Sequence, residues 1–570
     1  MKTLLKGGTL VNVFTGELEK TNVLIDGEII VGVGPYNDNE ADTVEHIEGK
    51  YICPGLIDGH IHIESTMLTP TELAKMCLPH GTTAIVADPH EIANVCGVDG
   101  IRYMLEASEG IPLQVYFTLP SCVPATPFDE SGANLYAKDL QPFYEHRRVV
   151  GLAEMMNYPG VLANDPDVIQ KITDARAAGK TVDGHAPALS GKALDTYISA
   201  GIQSDHECSR IDEAIEKIRK GQWVMIREGT AARNLCELLA LFEAPYKHRC
   251  ILATDDRHPA DLDSKGHIDH MIRLAAENGK DAVTAIQMAT IQAAQYFGLP
   301  YTGAIAPAYR ADILVLNDLN TVEVCDVYVS GVKVVSDKQI RTFPTPKVDE
   351  ALLKTVKNSF HIDPLTPADF HIEPKSKFCR AIRVIAGQLV TDEKICEIRW
   401  NRHNGVDTEK DILKLAVLER HKNTGHKGLG FITGIGLKKG AIASSVSHDS
   451  HNLIVIGTNE VDMALAANLI CKTGGNVVVA DGKVMAEMKL PIAGLMTEES
   501  GTEIAKANEA VRTAVCELGV SEGIEPFMNM AFVSLPVIPS IKMTTRGLVD
   551  VNRQERISLY CDPPTPLAEA

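Results

Sequence analysis

The sequence predicts an α/β protein organised around a parallel (β/α)8 barrel, a TIM barrel, and two observations predict it. Residues 52–300 contain eight short apolar runs with the composition of β-strands, and segments of helical pattern lie between them. This alternation is typical of parallel strands joined by crossover helices. Both flanks of this segment contain short strands with glycine turns, which predicts a small β-sandwich made from the two flanks. A doubly wound open sheet is the alternative architecture.

The length of 570 residues predicts several domains, each with its own hydrophobic core. In the first flank, Asp26-Gly27 separates two apolar runs, which predicts a hairpin. Prolines between 343 and 374 predict a connector, and the strands and helices beyond it predict an additional C-terminal α+β domain. The expected domains are 1–51 with 301–345 (small β-sandwich), 52–300 (barrel), 346–374 (connector) and 375–570 (C-terminal domain).

The barrel strands are expected at 52–57, 83–87, 114–118, 149–153, 180–182, 201–203, 223–226 and 250–253. Helices are predicted between several of them, at 165–178, 191–200, 210–220 and 231–242. The basic run 217–220 ends one of these helices, and we expect it to be exposed to solvent.

The composition excludes several classes of protein. A net charge of −20 disfavours binding to nucleic acid or to an anionic membrane, so a small neutral or cationic ligand is the expected partner. No apolar run approaches membrane-spanning length, and Lys6 interrupts the first apolar residues before a signal peptide could form. The 13 cysteines show no CxxC pair, which favours free thiols and a cytoplasmic location.

A barrel places its chemistry at the carboxyl ends of its strands, and most predicted strands are followed there by metal-binding or titratable side chains. His60 and His62 are one residue apart, so their imidazoles point the same way on an extended backbone. A single buried histidine is usually structural, but several at strand ends predict a metal site. The strand-end side chains are His60, His62, Asp88, His90, Glu91, Ser121, Glu154, His185, His206, Arg227, Glu228, Asp255 and Asp256.

Five motifs, PGLIDGHIH, GLAEMM, DGHAP, SDHE and ATDD, together with the flanking strands, resemble the amidohydrolase superfamily. Stretches 63–66, 88–94 and 255–259 resemble the adenine deaminases within it. Imidazole and carboxylate ligands without thiolate suit manganese, iron or zinc, and the resemblance favours Mn²⁺ or Fe²⁺ over Zn²⁺. The resemblance implies an amidohydrolase-type barrel with a centre of two divalent metal ions, whose ligands would be His60, His62, Glu154, His185, His206 and Asp255.

The resemblance also implies a reaction, the hydrolytic deamination of adenine to hypoxanthine and ammonia in purine salvage. A metal-activated hydroxide would attack C6, with Asp255 receiving its proton, while Glu154, His206 or Glu91 helps to protonate N1. A purine base is the expected partner, and the expected assembly is a homodimer or larger homo-oligomer. A cyclic-amide or amide hydrolase is the first alternative, which Glu154 disfavours because such enzymes carry a carboxylated lysine there. A non-catalytic scaffold is the second.

The stretch Ser447-His448-Asp449-Ser450-His451-Asn452 precedes a predicted strand of the C-terminal domain. One interpretation is a polar turn, because Ser, Asp and Asn are ordinary turn formers. The other is a loop that folds over the barrel mouth, excludes water and contacts the base or the metal ligands. The second interpretation completes the set of predicted substrate-binding residues, which are His90, Glu91, Ser121, Arg227, His448 and His451.

Overall fold

The computed structural model describes residues 1–230, 232–401 and 403–563. The chain divides into two compact units, each assembled from three segments. Residues 90–103 and 123–135, which fall inside the predicted barrel segment, cluster with the C-terminal part of the chain. Unit 1 consists of Met1–Pro89, Met104–Cys122 and Tyr136–Val348, and unit 2 consists of His90–Tyr103, Val123–Leu135 and Asp349–Ala570.

Unit 1 contains seventeen strands among its described residues. They are β1 Lys2–Asn12, β2 Glu17–Asp26, β3 Ile29–Gly34, β4 Thr43–His46, β5 Tyr51–Pro54, β6 Leu56–Ile61, β7 Thr82–Ala87, β8 Gln114–Leu119, β9 Val149–Met155, β10 Thr181–Gly184, β11 Ser204–Asp205, β12 Trp223–Arg227, β13 Cys250–Ala253, β14 Ile313–Leu316, β15 Val324–Val329, β16 Val332–Ser336 and β17 Gln339–Ile340.

The two flanks of unit 1 build one sheet, in the order β17-β16-β15-β14-β5-β1-β2-β3, with β4 paired to β1. The hairpin predicted at Asp26-Gly27 joins β2 to β3, and Gly27 has a φ of 58°. A residue without a Cβ adopts this left-handed conformation at no steric cost. Apolar side chains from both flanks, including Val23, Ile52 and Ile313, form one buried cluster under the sheet. Strands from both ends of the unit therefore share one hydrophobic core.

Strands β6 to β13 form a closed, TIM-barrel-like ring in which every pairing is parallel. They make two runs, β6 to β10 and β11 to β13. Hydrogen bonds connect these runs, since the Gln203 N–H donates to the Val182 carbonyl at 2.9 Å and the Asp255 N–H donates to the His60 carbonyl at 2.9 Å. This closure distinguishes the fold from the open sheet that was the alternative.

Two predicted strands differ from the observed ones. The run 52–57 is two strands, because β5 belongs to the flanking sheet and β6 to the barrel. Gly55 lies between them so close to Thr83 that a Cβ would meet the threonine Oγ1 at 2.1 Å, so glycine is needed for the chain to pass from one sheet to the other. The strand predicted at 201–203 is the short strand β11, which begins at Ser204.

The first twelve α-helices include the crossovers of the barrel. Those predicted at 165–178, 191–200 and 210–220 are present as α6, α7 and α8. Asp165 caps α6 by accepting hydrogen bonds from two N–H groups of its first turn. The helices are α1 Pro70–Cys77, α2 His90–Cys96, α3 Val98–Ala107, α4 Ala137–Leu140, α5 Tyr158–Leu162, α6 Pro166–Ala177, α7 Gly191–Ser199, α8 Ile211–Arg219, α9 Pro259–Lys265, α10 Ile268–Glu277, α11 Ala282–Met288 and α12 Ile291–Tyr296.

The prediction of an α-helix at 231–242 is wrong. Ala231 lies outside the described residues, and the rest of the segment contains a 3₁₀ helix, Cys236–Phe242. Among the described residues, no helix has both the length and the apolar character needed to cross a membrane.

Unit 2 contains a mixed sheet in the order β19-β18-β21-β20-β23-β22-β24-β25, with β29 paired to β18, and a smaller sheet of β26 to β28. Helix α14 buries Met463, Ala467 and Ile470 in an apolar cluster with sheet residues such as Val455 and Val477. The elements are β18 Phe378–Val384, β19 Thr391–Glu397, β20 Leu413–Leu418, β21 Lys427–Thr433, β22 Ala441–Ser444, β23 Leu453–Gly457, β24 Asn476–Ala480, β25 Lys483–Met488, β26 Ile541–Thr544, β27 Gly547–Asp550, β28 Glu555–Arg556, β29 Tyr560–Cys561, α13 Glu350–Lys357, α14 Glu460–Thr473, α15 Gly501–Glu517 and α16 Pro526–Phe532.

Candidate metal centre

Glu154, the last residue but one of β9, is buried among three of the predicted imidazole ligands. Its Oε1 lies 3.5 Å from His62 Nε2, and its Oε2 lies 3.0 Å from His206 Nε2 and 2.6 Å from His185 Nδ1. The two oxygens thus face different imidazoles. A carboxylate in this arrangement is able to bridge two metal ions.

His60, His62 and Asp255 form the other part of the cluster. The Nε2 atoms of the two histidines are 3.2 Å apart, and Asp255 Oδ1 lies 3.2 Å from His62 Nε2 and 3.9 Å from His60 Nε2. The His60 ring also stacks on the His206 ring, with centroids 4.3 Å apart. All six side chains predicted as ligands therefore lie in one cluster at the carboxyl ends of the barrel strands.

The electrostatics keep both carboxylates of the cluster ionised. Burial by itself would raise the pKa of Glu154, but His185 and His206 beside it hold that pKa well below its usual value. Burial would likewise raise the pKa of Asp255, but Arg227 and His62 hold it well below the usual value. Ionised carboxylates are the form that binds a cation.

The donor set fits divalent metal ions. Groups of three within the cluster, such as His60, His62 and Asp255 or His60, Glu154 and His206, have ligand atoms within 4.8 Å of one another. Four imidazoles and two carboxylates without a thiolate suit manganese, iron or zinc.

Asp58, which sequence analysis did not single out, fixes the first histidine of the cluster. Its Oδ1 accepts hydrogen bonds from the His60 N–H at 3.2 Å and the Thr254 N–H at 3.0 Å, and its Oδ2 accepts one from the Thr254 hydroxyl at 2.5 Å. His267 Nε2 lies 3.1 Å from the same carboxylate. Asp58 therefore connects the strand that carries His60 to the strand that precedes Asp255.

Asp205 and Lys217 support the loops that carry His185 and His206. The Asp205 carboxylate accepts a hydrogen bond from the Ala186 N–H at 2.9 Å and pairs with Lys217 Nζ at 3.1 Å. Lys217 Nζ also donates to the Ala186 carbonyl at 2.8 Å. The prediction that the run 217–220 is exposed is therefore wrong at Lys217, whose side chain is completely buried. Its charge is compensated by Asp205 and Glu213.

Arg227, a predicted substrate-binding residue, forms ion pairs with two carboxylates of the chain itself. It lies at the end of β12, pairs with Asp255 Oδ2 at 2.7 Å, and binds both oxygens of Glu207. Glu207 was not among the predicted site residues, although it directly follows His206 in the motif SDHE. Its Oε1 is 3.7 Å from His206 Nε2 and 3.8 Å from His185 Nδ1.

Ser121 supports the backbone of a predicted ligand. Its hydroxyl donates to the Glu154 carbonyl at 2.6 Å, and its own carbonyl accepts a hydrogen bond from Lys171 Nζ at 2.9 Å. These contacts position β9, the strand that carries Glu154.

Four predicted substrate-binding residues lie together within unit 2. Glu91 Oε1 is 3.5 Å from His448 Nδ1, and Glu91 Oε2 is 3.8 Å from His451 Nε2. His90 Nε2 lies 3.8 Å from the Asp449 carboxylate. All of these side chains are buried, so the loop that precedes β23 is not an exposed polar turn.

The tautomer of His451 follows from its backbone contact. The Ser447 N–H donates to His451 Nδ1 at 3.2 Å, so Nδ1 accepts and the proton of the neutral ring is on Nε2. Burial holds the pKa of His451 well below its usual value, which keeps the ring neutral. His451 therefore presents an N–H donor on the side of Glu91.

The fold and the cluster define a class of protein, the metal-dependent hydrolases with an amidohydrolase-type barrel, and the model of the amidohydrolase family matches residues 51–334. The model of the adenine deaminase C-terminal domain matches residues 388–555. Among solved structures, beta-aspartyl dipeptidase from Fervidobacterium islandicum AW-1 is similar over 60% of this chain and 100% of its own, with a TM-score of 0.48 and 17% identity.

Full-length relatives define the family more narrowly. Adenine deaminase from Desulfatibacillum aliphaticivorans is 45% identical over 559 residues, which are 98% of this chain and 97% of that protein. Adenine deaminase 2 from Carboxydothermus hydrogenoformans is 46% identical over 96% of this chain and 95% of its own. Adenine deaminase from Methanothrix thermoacetophila is 46% identical over 98% of this chain and 97% of its own. The chain belongs to the adenine deaminase family.

Proposed function

We propose that the protein catalyses the hydrolytic deamination of adenine to hypoxanthine and ammonia. The observation that carries this proposal is the 45% identity, over 98% of the chain, to a relative named adenine deaminase. The match to the C-terminal domain model adds support, because it covers a part of the chain outside the general amidohydrolase match.

Two divalent metal ions are part of the proposal, with Mn²⁺ or Fe²⁺ preferred over Zn²⁺. When bound, such ions supply a water of lowered pKa that is available as hydroxide near neutral pH. The residues that would hold them are His60, His62, Glu154, His185, His206 and Asp255.

Asp255 is the proposed proton shuttle of the reaction. It accepts the proton of the attacking water and transfers it to the amino group that leaves C6 as ammonia. The geometry supports this role, because Arg227 engages Oδ2 and leaves Oδ1 beside His62 at 3.2 Å.

Protonation of the adenine ring nitrogen N1 needs a second group. Glu154 is ionised, because His185 and His206 hold its pKa well below the usual value, so it must first take up a proton before it could donate one. Glu154 stays the first candidate of the proposal, and His206 and Glu91 are the other candidates for the proton donor.

The substrate-binding role of His90, Glu91, His448 and His451 also stays part of the proposal. Their clustering in unit 2 supports a common task. The contacts of Ser121 and Arg227 support a different role for these two residues, which is the positioning of Glu154 and Asp255.

The finer organisation expected from the sequence is proposed with the function. It comprises a small β-sandwich domain from both flanks, a C-terminal α+β domain with the boundaries given above, a homodimer or larger homo-oligomer, a cytoplasmic location and a place in purine salvage. The flanking sheet contains strands from both flanks of the barrel, which supports the small β-sandwich domain.

Ammonia release from a panel of compounds tests the proposed function. Protein loaded with Mn²⁺ or Fe²⁺ is incubated with adenine, adenosine, hydantoin and dihydroorotate. We expect ammonia from adenine, and no ring opening of hydantoin or dihydroorotate. Ring opening of either cyclic amide without ammonia from adenine would favour the alternative hydrolase, and inertness towards all four would favour the scaffold.

A further inference from the structure

Arg227 is buried between two carboxylates that come from different barrel strands. Glu207 follows β11, Asp255 follows β13, and Arg227 ends the strand between them. The Arg227 side chain is 10% exposed, and those of Glu207 and Asp255 are 16% and 8% exposed. The three charges therefore interact with little screening by water.

The guanidinium engages both oxygens of Glu207. Its Nη2 donates to Oε2 at 2.9 Å, and its Nη1 donates to Oε1. Two parallel hydrogen bonds of this kind compensate the charge of the carboxylate and also fix its orientation. Without these bonds, the Glu207 carboxylate could turn towards two predicted metal ligands. Its Oε1 is already 3.7 Å from His206 Nε2 and 3.8 Å from His185 Nδ1.

The same guanidinium orients Asp255. Nη1 donates to Oδ2 at 2.7 Å, so Oδ1 is the oxygen that remains beside His62. The third nitrogen, Nε, donates to Asn234 Oδ1 at 3.0 Å, and the Asn234 N–H donates to the Arg227 carbonyl at 3.0 Å. All three guanidinium nitrogens are thus engaged, which fixes the plane of the group.

We propose that Arg227 is a positioning residue that keeps Glu207 out of the metal coordination sphere and holds Asp255 with only Oδ1 directed at the centre. A buried carboxylate that loses its cationic partner needs another cation. In the absence of Arg227, a metal ion held by His185 and His206 would be the nearest such cation, so Glu207 would become an additional ligand. The inference rests on the metal centre of the proposed function and does not depend on the identity of the substrate.

The test compares the wild type with four variants, all loaded with Co²⁺, whose visible absorption weakens as the coordination number rises. The variants are Arg227→Gln, Arg227→Lys, Glu207→Gln and the double variant Arg227→Gln with Glu207→Gln, each checked for folding by circular dichroism. We expect Arg227→Gln to weaken the absorption and the double variant to restore it. Arg227→Lys keeps the positive charge but loses the paired N–H donors of the guanidinium. We therefore expect a spectrum between those of the wild type and Arg227→Gln.

Glu207→Gln alone gives the second, independent result. Because Arg227 still holds Asp255 in this variant, we expect an unchanged Co²⁺ spectrum and unchanged metal content. A changed spectrum would mean that Glu207 is itself a ligand and would overturn the inference. This variant also keeps the inference testable if Arg227→Gln does not fold.

Kinetics separate positioning from a merely structural role. Loss of groups that orient metal ligands costs about 10- to 100-fold in activity, and we expect Arg227→Gln to lower kcat by this factor with little change in KM. The double variant should recover part of kcat. An unchanged spectrum in Arg227→Gln, or a double variant less active than the single one, contradicts the inference. A wild-type protein that does not deaminate adenine but shows the spectral changes would refute the proposed function and leave this inference standing.

Discussion

Asp255 is the residue on which the proposed chemistry depends most, and its two oxygens have different tasks. Oδ2 is neutralised by Arg227, whereas Oδ1 lies among the imidazoles of His60 and His62. Arg227 and His62 hold the pKa of Asp255 well below its usual value against the effect of burial. The carboxylate is therefore ionised, which is the form that can accept a proton.

We predict that Asp255→Asn reduces turnover of adenine by about 100-fold or more, which is the scale of a lost general acid–base group. The amide keeps an oxygen for the metal, so metal content should stay near that of the wild type. Kinetics of ammonia release and metal analysis of the same preparation measure both quantities.

The control for this variant is Asp261→Asn, which removes a carboxylate of unit 1 that pairs with Lys265 at 2.8 Å on α9. It should retain wild-type turnover. Normal turnover in Asp255→Asn would refute the proton-shuttle role, and loss of the metal would show that the residue acts mainly as a ligand.

At the scale of elements, the loop before β23 has an internal structure that explains its polar sequence. The Ser447 N–H fixes the ring of His451, and the His448 ring stacks on Phe532 with centroids 4.5 Å apart. Both imidazoles face Glu91 of α2 at distances too long for hydrogen bonds. The loop thus fixes two imidazoles beside Glu91, and His451 presents its Nε2 N–H there.

We predict that His451→Ala lowers adenine turnover about tenfold or more without unfolding the protein. Loss of the Nε2 donor should weaken substrate binding, so KM should rise. His426→Ala, which removes a partly exposed histidine that pairs with Glu130 in the same unit, is the matched control. Unchanged kinetics in the His451 variant would refute the substrate-binding role of the loop.

Strand β26 contains a lysine in an apolar setting. Lys542 is completely buried, its Nζ donates to the Leu389 carbonyl at 3.1 Å, and the described residues place no carboxylate within ion-pair distance of it. Burial lowers the pKa of Lys542 from the ordinary 10.5 to about 7. Between these two values the unfolded chain binds the proton more readily, so the buried lysine costs stability increasingly as the pH falls from about 10.5 to about 7.

We predict that Lys542→Met raises the melting temperature by about 2–4 °C at pH 7, because the penalty for the buried amine disappears. The gain should be smaller at pH 10, where the unfolded lysine is partly deprotonated. Melting curves of wild type and variant at the two pH values measure the difference. A variant that melts lower at both would show that the hydrogen bond to Leu389 outweighs the penalty.

The elements predicted best are those with strong local signals. The hairpin at Asp26-Gly27 and helix α6 behind its Asp165 cap follow from short-range chemistry. The division of the run 52–57 at Gly55 depends on contact with Thr83, which belongs to another strand. Lys217 was expected in solvent because its neighbours are basic, but Asp205 and Glu213 compensate it in the interior. Contacts between residues far apart in the sequence decide the structure at these positions, and local sequence patterns do not indicate such contacts.

At the scale of the molecule, the candidate metal centre joins five barrel strands, because its predicted ligands lie at or just after the carboxyl ends of β6, β9, β10, β11 and β13. The spacing of strand-end residues made this cluster predictable, since parallel strands bring their carboxyl ends to one side. Three residues beside the ligands were missed: Asp58 and Asp205, which accept hydrogen bonds from the backbone at or next to a ligand, and Glu207, which Arg227 binds. They are adjacent to ligands in sequence, but only the fold distinguishes them from ordinary polar neighbours.

We predict that removal of the metal ions with a chelator lowers the melting temperature and that adding Mn²⁺ restores it. Binding to the folded state alone stabilises it, and the bound ions would add positive charge beside the buried carboxylates of Glu154 and Asp255. Metal analysis before and after treatment should give two ions per chain in the restored protein. An unchanged melting temperature after complete metal removal would contradict a centre shared by five strands.

The most direct test of the proposed function is to incubate the metal-loaded protein with adenine in water enriched in ¹⁸O. We predict hypoxanthine that carries one oxygen from the solvent, together with an equal amount of ammonia, and neither product from Asp255→Asn at a comparable rate. Adenine that remains unchanged, or hypoxanthine without solvent oxygen, would contradict hydrolytic deamination at this centre.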